Sequence, residues 1–249
     1  MQAWWILTRR ELAGFFCSLA GYVIIAAAAF LTGLSFVILL MKLQDEPTSM
    51  PVTELFYVTA FFWLILLLAV PVITMRLFAL EKFTGTFETL MTTPVSDLQV
   101  VAAKFSAAMV FYLLMWLPLL CCILILRHYT GEVSGFDGGA LGCTYLGIML
   151  LGGVFVSLGC LASALTRSQT TAAMISVGFN VSLFLVSFLA VKLPDGDWKT
   201  QVLGRLGLPD QMHDFVRGVA DTRTVVLYLT LTLFFLFFTL RVVESRRWK

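Results

Sequence analysis

The chain has 249 residues, of which 59% are hydrophobic and only 13% are Asp, Glu, Lys or Arg. Because soluble domains carry roughly 25% charged residues, this composition excludes a water-soluble domain, a disordered chain and a secreted disulfide scaffold. The formal net charge of +2 does not indicate a nucleic-acid partner, so the sequence predicts an integral membrane protein.

The first 17 residues have the pattern of an amphipathic helix. Arg9 and Arg10 lie off its apolar side, and Glu11 follows them. This arrangement suits a helix in the inner membrane interface, with its tryptophans at headgroup depth. The helix is either an anchor that fixes orientation or a lever that touches a cytoplasmic partner. Its apolar side gathers Trp4, Trp5, Leu12, Phe15, Phe16 and Leu19.

Six later segments are apolar and long enough to cross a hydrocarbon core of about 30 Å, which takes ~20 helical residues. None of them contains Asp, Glu, Lys, Arg or His, and few show the alternation of a β-barrel. The predicted fold class is therefore all-α and polytopic, with six transmembrane helices. The segments are 19–41, 55–75, 105–126, 141–166, 170–191 and 224–240.

The distribution of basic residues predicts the orientation. With the N-terminus inside, the inner side holds ten Lys and Arg residues and the outer side holds seven. Most of the outer ones lie in the last loop, where Asp residues match them in number. The positive-inside rule then places both termini in the cytoplasm.

The loop at 76–104, between the second and third segments, is too long for a simple hairpin connection. Thr84 and Gly85 are suited to open a short helix over 86–91, and Pro94 is suited to end it. Glycine is the residue that most readily adopts a positive φ at such a helix entry.

The end of this loop carries a helix-start signal. Ser96, followed three residues later by Gln99, forms a capping box that predicts the start of the third transmembrane helix. The loop thus consists of a helix, a break and a capped helix at the cytoplasmic surface. Such a rigid exposed helix has the form needed to dock a soluble protein, and the alternative is an ordinary solvated connector.

The loop at 192–223 contains a second short helix on the outer side. Pro209 and Asp210 are typical of its start, and Gly218 lies near its end. The helix is expected to rest in the outer interface or to fold back between the transmembrane helices. Its apolar stripe is Met212, Phe215, Val216 and Val219.

The sequence lacks the common motifs of nucleotide, metal and redox chemistry. It has no G-x-x-x-x-G-K-[ST] motif, so it does not bind ATP through a P-loop of its own. Its two histidines, His128 and His213, lie in different outer loops, and its five cysteines have no C-x-x-C spacing. Ion-coupled transporters usually hold ionisable residues inside the membrane. A solute moved by this chain would therefore draw its energy from elsewhere.

Four stretches, in order along the chain, carry a shared family pattern. They include Arg10-Glu11-Leu12 near the N-terminus, Gly159-x-x-x-Ser163 with the residues that follow it, and His213 to Asp221 before the last segment. The most specific stretch comprises Pro71, Thr74, Met75, Arg76, Phe78, Ala79, Glu81, Lys82, Gly85, Thr86, Glu88, Leu90, Pro94, Val95 and Ser96.

With this pattern the chain resembles the permease subunits of type-2 ABC transporters, the ABC-2 exporter class. It is most similar to the gliding-motility-type and nitrous-oxide-reductase-maturation-type permeases. Two positions depart from the pattern: Leu80 stands where an acidic residue is common, and Ala103 stands where glycine is common.

The resemblance implies a six-helix permease in the bacterial inner membrane that pairs with a second permease and contacts membrane lipids. Separate cytoplasmic ABC ATPase subunits would bind ATP and Mg²⁺, and this chain would hold no cofactor and no catalytic site. Arg9, Arg10 and Glu11 would mark the interfacial helix, and His213, Phe215 and Gly218 the external helix. The ATPase would dock on Glu81, Lys82, Thr84, Gly85, Thr86 and Glu88, and Pro94, Ser96 and Asp97 would set the start of the next helix.

Two other functions remain open at this stage. An energy-independent channel or scaffold would need no ATPase, so copurification would distinguish it from a permease. A membrane-embedded enzyme would need a cluster of polar side chains at one depth, and the sequence shows no such cluster.

Overall fold

A computed structural model of the chain describes residues 2–45, 57, 59–87, 95–130, 138–190 and 207–245. Every regular element within these ranges is helical, as the sequence predicts. In chain order the helices are α1 (Gln2–Phe16), α2 (Leu19–Asp45), α3 (Ala60–Thr74), α4 (Ala79–Thr84), α5 (Asp97–Met115), α6 (Leu117–Thr130), α7 (Gly138–Leu165), α8 (Gln169–Ala190), α9 (Leu208–Val216) and α10 (Thr222–Ser245).

Within the described ranges, six helical segments are long and apolar enough to cross a membrane, which confirms the predicted fold class. The second segment differs most from its predicted bounds, because it covers Ala60–Thr84 instead of 55–75. The helix of the third segment begins at Asp97, as the capping box at Ser96 predicts, and not at the predicted span bound of 105. Lys104 therefore lies inside the helix and not in the loop before it. The segments are Leu19–Met41, Ala60–Thr84, Asp97–Ile125, Gly138–Leu165, Gln169–Ser187 and Thr222–Ser245.

Helix α7 forms the centre of the bundle. All of residues 151–160 are buried, and the helix packs against α3, α5, α8, α9 and α10. Glycine allows this close approach, because a Cβ at Gly152 would overlap the Tyr112 ring and one at Gly159 would overlap Thr74. The small residues of this segment therefore serve internal packing, as helix interfaces in membranes commonly require.

Helix α9 folds against the bundle instead of standing apart from it. Met212 and Phe215 are buried beside Gly147 of α7, and Pro209 lies in the first turn of α9, as predicted. The predicted stripe is wrong at Val219, which is 58% exposed. The helix ends at Val216, and Gly218 then turns the chain with a φ of +84°.

Helix α1 is apolar on one side, but its predicted apolar side is only partly correct. Phe15 is buried and stacks on Phe111 of α5 with ring centroids 4.8 Å apart. Trp5 and Leu19 are 61% and 81% exposed. In a chain of this composition apolar side chains also face lipid, so a shared helical face does not by itself indicate burial.

Candidate functional site

The short helix α4 begins with help from another helix. The first N–H groups of any helix have no partner within it, and Phe78 at the N-cap has no polar side chain. The Oγ of Ser163, near the end of α7, accepts hydrogen bonds from the N–H of Phe78 at 3.0 Å and of Ala79 at 3.1 Å. The same hydroxyl donates to the carbonyl of Met75 at 3.3 Å.

This role of Ser163 was not predicted from the sequence, where Ser163 belongs only to the Gly159-x-x-x-Ser163 stretch of the family pattern. The signal is the spacing Gly159-x-x-x-Ser163. Gly159 lets Thr74 approach α7, and Ser163, about one turn further along, then reaches the chain just after α3.

Lys82 attaches α4 to α7 a second time. Its Nζ donates a hydrogen bond to the carbonyl of Ala164 and lies 5.3 Å from the centre of the Phe87 ring. The last carbonyls of a helix have no partner within it, and a lysine beside that end can donate to them. Lys82 of α4 does so at the C-terminal end of α7. The Lys82 ammonium is therefore engaged within the chain.

Arg10, Glu11, Glu81 and Lys104 form a charge cluster that joins three helices. Glu81 of α4 lies 2.9 Å from both Arg10 of α1 and Lys104 of α5. Glu11 of α1 lies 2.7 Å from Arg10 and 3.1 Å from Lys104. Two positive and two negative groups thus balance each other.

Three members of the charge cluster are largely shielded from solvent, whereas the Arg10 side chain is 52% exposed. The Lys104 side chain is 2% exposed, and those of Glu11 and Glu81 are each 16% exposed. Burial alone would raise the pKa of Glu11, but the Lys104 charge and hydrogen bonds from Arg10 and Lys104 outweigh it and hold that pKa below its ordinary value. Glu11 is therefore held as the carboxylate.

An exposed turn follows α4. Gly85 ends the helix with a φ of +75°, and the backbone is helical again at Thr86 and Phe87. Thr84, Gly85 and Thr86 are exposed, and the Phe83 ring is 75% exposed. The hydroxyls of Thr84 and Thr86 lie 2.9 Å apart. We call residues 83–86 the exposed turn.

The positive φ expected at Gly85 is found, although Gly85 also ends α4 and does not only open the helix predicted at 86–91. Phe83 was not predicted as a site residue. The sequence signal for Phe83 is a large apolar residue directly before the polar Thr84-Gly85-Thr86 turn. Of the helix predicted at 86–91, only its first two residues lie within the described ranges. Glu88 and Pro94 lie outside the described residues.

The sequence model of the family described as "ABC-2 family transporter protein" matches residues 39–217. The match covers more than half of the chain and includes α4, Lys104, Ser163 and α9. The chain belongs to the ABC-2 transporter family. It is therefore a multi-pass permease component of an ABC transporter, and ABC ATPase subunits are its partners. A comparison with curated proteins finds no match.

The start of α5 in this ABC-2 permease has the predicted capping box. Ser96 Oγ accepts a hydrogen bond from the Gln99 N–H at 3.4 Å, and Gln99 Oε1 accepts one from the Ser96 N–H at 3.3 Å. Asp97 is in the first turn, where the helix dipole favours a negative charge. This start fixes the helix that carries Lys104.

The remaining predicted site residues are not part of the charge cluster or of the exposed turn. Arg9 is exposed on α1. In α9, His213 is half-buried and Phe215 stacks near Tyr228. Phe215 contacts α7 at Gly147, which is roughly 24 Å along the helix from Ser163 at 1.5 Å per residue. The external-helix residues thus lie at the other end of the ABC-2 bundle.

Proposed function

We propose that this permease couples ATP hydrolysis by separate ATPase subunits to a conformational change of the bundle, and that it works as an exporter. The exposed turn would contact the ATPase subunit. The observation that carries this proposal is an exposed aromatic ring on a short helix that three other helices hold in place.

The chemistry of the exposed turn supports a protein contact. Phe83 offers an apolar ring, and the hydroxyls of Thr84 and Thr86 stand beside it. Aromatic anchors surrounded by polar groups dominate the energy of many protein interfaces. Gly85 gives the turn a shape that other residues rarely adopt. Glu88 belongs to the same proposed contact.

Within this proposal, Glu81 and Lys82 take a supporting role. Both side chains are engaged with α1, α5 and α7, so they fix the position of α4 while the exposed turn makes the contact. Ser96 and Asp97 set the start of α5, and Pro94 would contribute to it. A helix held at several points transmits a displacement into the bundle instead of absorbing it.

The assembly follows from the same proposal. Two permeases, identical or homologous, would form a dimer, and ATP and Mg²⁺ would bind to the ATPase subunits. The protein would lie in a bacterial inner membrane, with both termini and the exposed turn on the cytoplasmic side. The chain would belong to the gliding-motility-type or nitrous-oxide-reductase-maturation-type subclass, which the stretch from Pro71 to Ser96 resembles.

An impermeant thiol reagent applied to intact cells tests this orientation. A cysteine placed at Val219, which is exposed beyond α9, should be labelled. A cysteine placed at Thr84 should not be labelled, and labelling there would reverse the proposed orientation.

The docking proposal is tested by copurification with Phe83→Asp. This change should reduce the amount of bound ATPase subunit at least tenfold, because it places a charge in an apolar contact. Leu19→Ala is the matched control, since Leu19 is 81% exposed near the same end of the bundle. Wild-type binding by Phe83→Asp would exclude the exposed turn as the contact. A wild-type chain that captures no ATPase would instead favour the channel or scaffold.

A further inference from the structure

Lys104 lies in an apolar helix, yet it carries a charge that is almost fully buried. Its side chain is 2% exposed, and its Nζ also lies 5.4 Å from the centre of the Phe78 ring. A buried ammonium is tolerated when carboxylates pair with it. The two carboxylates come from different helices, Glu11 from α1 and Glu81 from α4. The Lys104 ammonium therefore pairs with carboxylates of two separate helices, α1 and α4.

Packing contributes little to the contact between α1 and α4. A cavity of about 70 Å³ separates α1 from the turn before α4. It is lined by Glu11, Gly14, Phe15, Arg76, Leu77 and Leu80. Since apolar side chains do not fill this space, the attachment of α1 to α4 depends on the charge cluster.

We propose that Lys104 is a positioning residue that makes α1 move together with α4 when the ATPase subunit acts on the exposed turn. The inference rests on the proposed function and extends it to the N-terminal helix. Separating α1 from α4 would leave a buried ammonium with one of its carboxylates removed, which is far less favourable than opening a pair in water. Arg10 reinforces the attachment, because its guanidinium contacts both carboxylates.

Helix α1 packs mainly on α5, where Phe15 stacks on Phe111, and a second polar contact links the α1 region to the chain before α4. Ser18, in the turn after α1, accepts a hydrogen bond from Arg76 at 2.7 Å. Arg76 belongs to the turn between α3 and α4, and Glu81 belongs to α4 itself. The turn and α4 are therefore each linked to the α1 region. The lever, rather than the anchor, is thus the role of the N-terminal helix.

The chain offers a matched control for the charge cluster. Arg241 and Glu244 of α10 form an ion pair at 3.0 Å, but their side chains are 64% and 35% exposed. Exposed pairs of this kind contribute little to stability. Arg241→Gln therefore removes an ion pair of similar length without disturbing a buried charge.

The experiment measures the movement of α1 in the complex of permease and ATPase. Spin labels are placed at Ala13 of α1 and at Arg167 after α7, both exposed, in a chain whose five cysteines are replaced by serine. The distance between the labels is recorded with and without a non-hydrolysable ATP analogue and Mg²⁺. The wild-type cluster should give a nucleotide-dependent shift, and Arg241→Gln should keep it.

Lys104→Met should abolish the shift while the ATPase subunit still copurifies, and Lys104→Arg should preserve it. If Lys104→Met is not recovered as a folded protein, Glu11→Gln makes the same test, because Lys104 keeps Glu81 as a partner. A wild-type complex without a shift, or a shift that survives loss of the Lys104 bridge, would overturn the inference. Failure of the wild-type chain to bind an ATPase would instead refute the proposed docking.

Discussion

The Oγ of Ser163 accepts a hydrogen bond from the backbone N–H of Phe78 at 3.0 Å, so a residue of α7 caps the start of α4. Helix α4 has only six residues. Isolated helices shorter than about 12 residues are marginal in water. The conformation of α4 is therefore determined by its contacts with α7 and with the charge cluster more than by its own sequence.

We expect Ser163→Ala to destabilise the protein by about 1–3 kcal/mol, because it leaves two N–H groups without their acceptor. Thermal unfolding in detergent measures the change. Ser157→Ala is the control, since Ser157 is also buried in α7 but donates to the carbonyl of Val154 in its own helix. Equal effects of the two substitutions would argue against a capping role for Ser163.

Much of this fold was predictable, because apolar length specifies membrane helices and the signals at Ser96 and Gly85 are local. The charge cluster was not predictable. Glu11, Glu81 and Lys104 are far apart in the sequence, and only packing of α1, α4 and α5 brings them together. The capping box at Ser96 predicted the start of α5, but the apolar span was counted only from residue 105, so Lys104 was assigned to the loop at 76–104.

The stability of the protein should depend on whether the buried charges of the cluster are paired, more than on whether the cluster is present at all. Lys104→Met leaves Glu11 and Glu81 close together with Arg10 beside them. Because Arg10 is 52% exposed, it replaces the buried ammonium only in part, so we expect a loss of about 3–5 kcal/mol. The triple variant Glu11→Leu, Glu81→Leu and Lys104→Met removes the whole buried set and should recover most of that loss. Comparing the unfolding of the two variants measures this, and a triple variant no more stable than Lys104→Met would contradict it.

The cluster also predicts how stability depends on pH. The lowered pKa of Glu11 means that its contribution is fully present above the unfolded value, about 4.3, and is lost as pH falls through the folded pKa. Wild type should therefore exceed Glu11→Gln in melting temperature at pH 7, and the difference should shrink in acid.

The groups that face Glu11 are Lys104, Arg10, Glu81 and, across the cavity, Arg76. Glu81 faces the same ammonium, so the comparison is repeated in a Glu81→Gln background. A melting-temperature difference that stays constant from pH 7 to below pH 4 would show that Glu11 does not contribute through its charge.

Gly85 allows the sharpest test of the exposed turn, because a substitution there strains the backbone without a steric clash. A Cβ at Gly85 would meet no atom within 4 Å, yet its φ of +75° disfavours any residue with a side chain. Gly85→Val therefore introduces backbone strain of roughly 1–2 kcal/mol without a steric clash. The bundle should stay folded and monodisperse, while ATPase copurification and substrate-stimulated hydrolysis fall.

Gly33→Val in α2 is the matched control. A Cβ there also meets no atom within 4 Å, but the backbone is helical with a normal φ, so only a small change in stability and no loss of coupling are expected. If Gly85→Val behaves like Gly33→Val in every measurement, the left-handed turn has no part in coupling. The segment after α4 would then be a connector between two membrane helices.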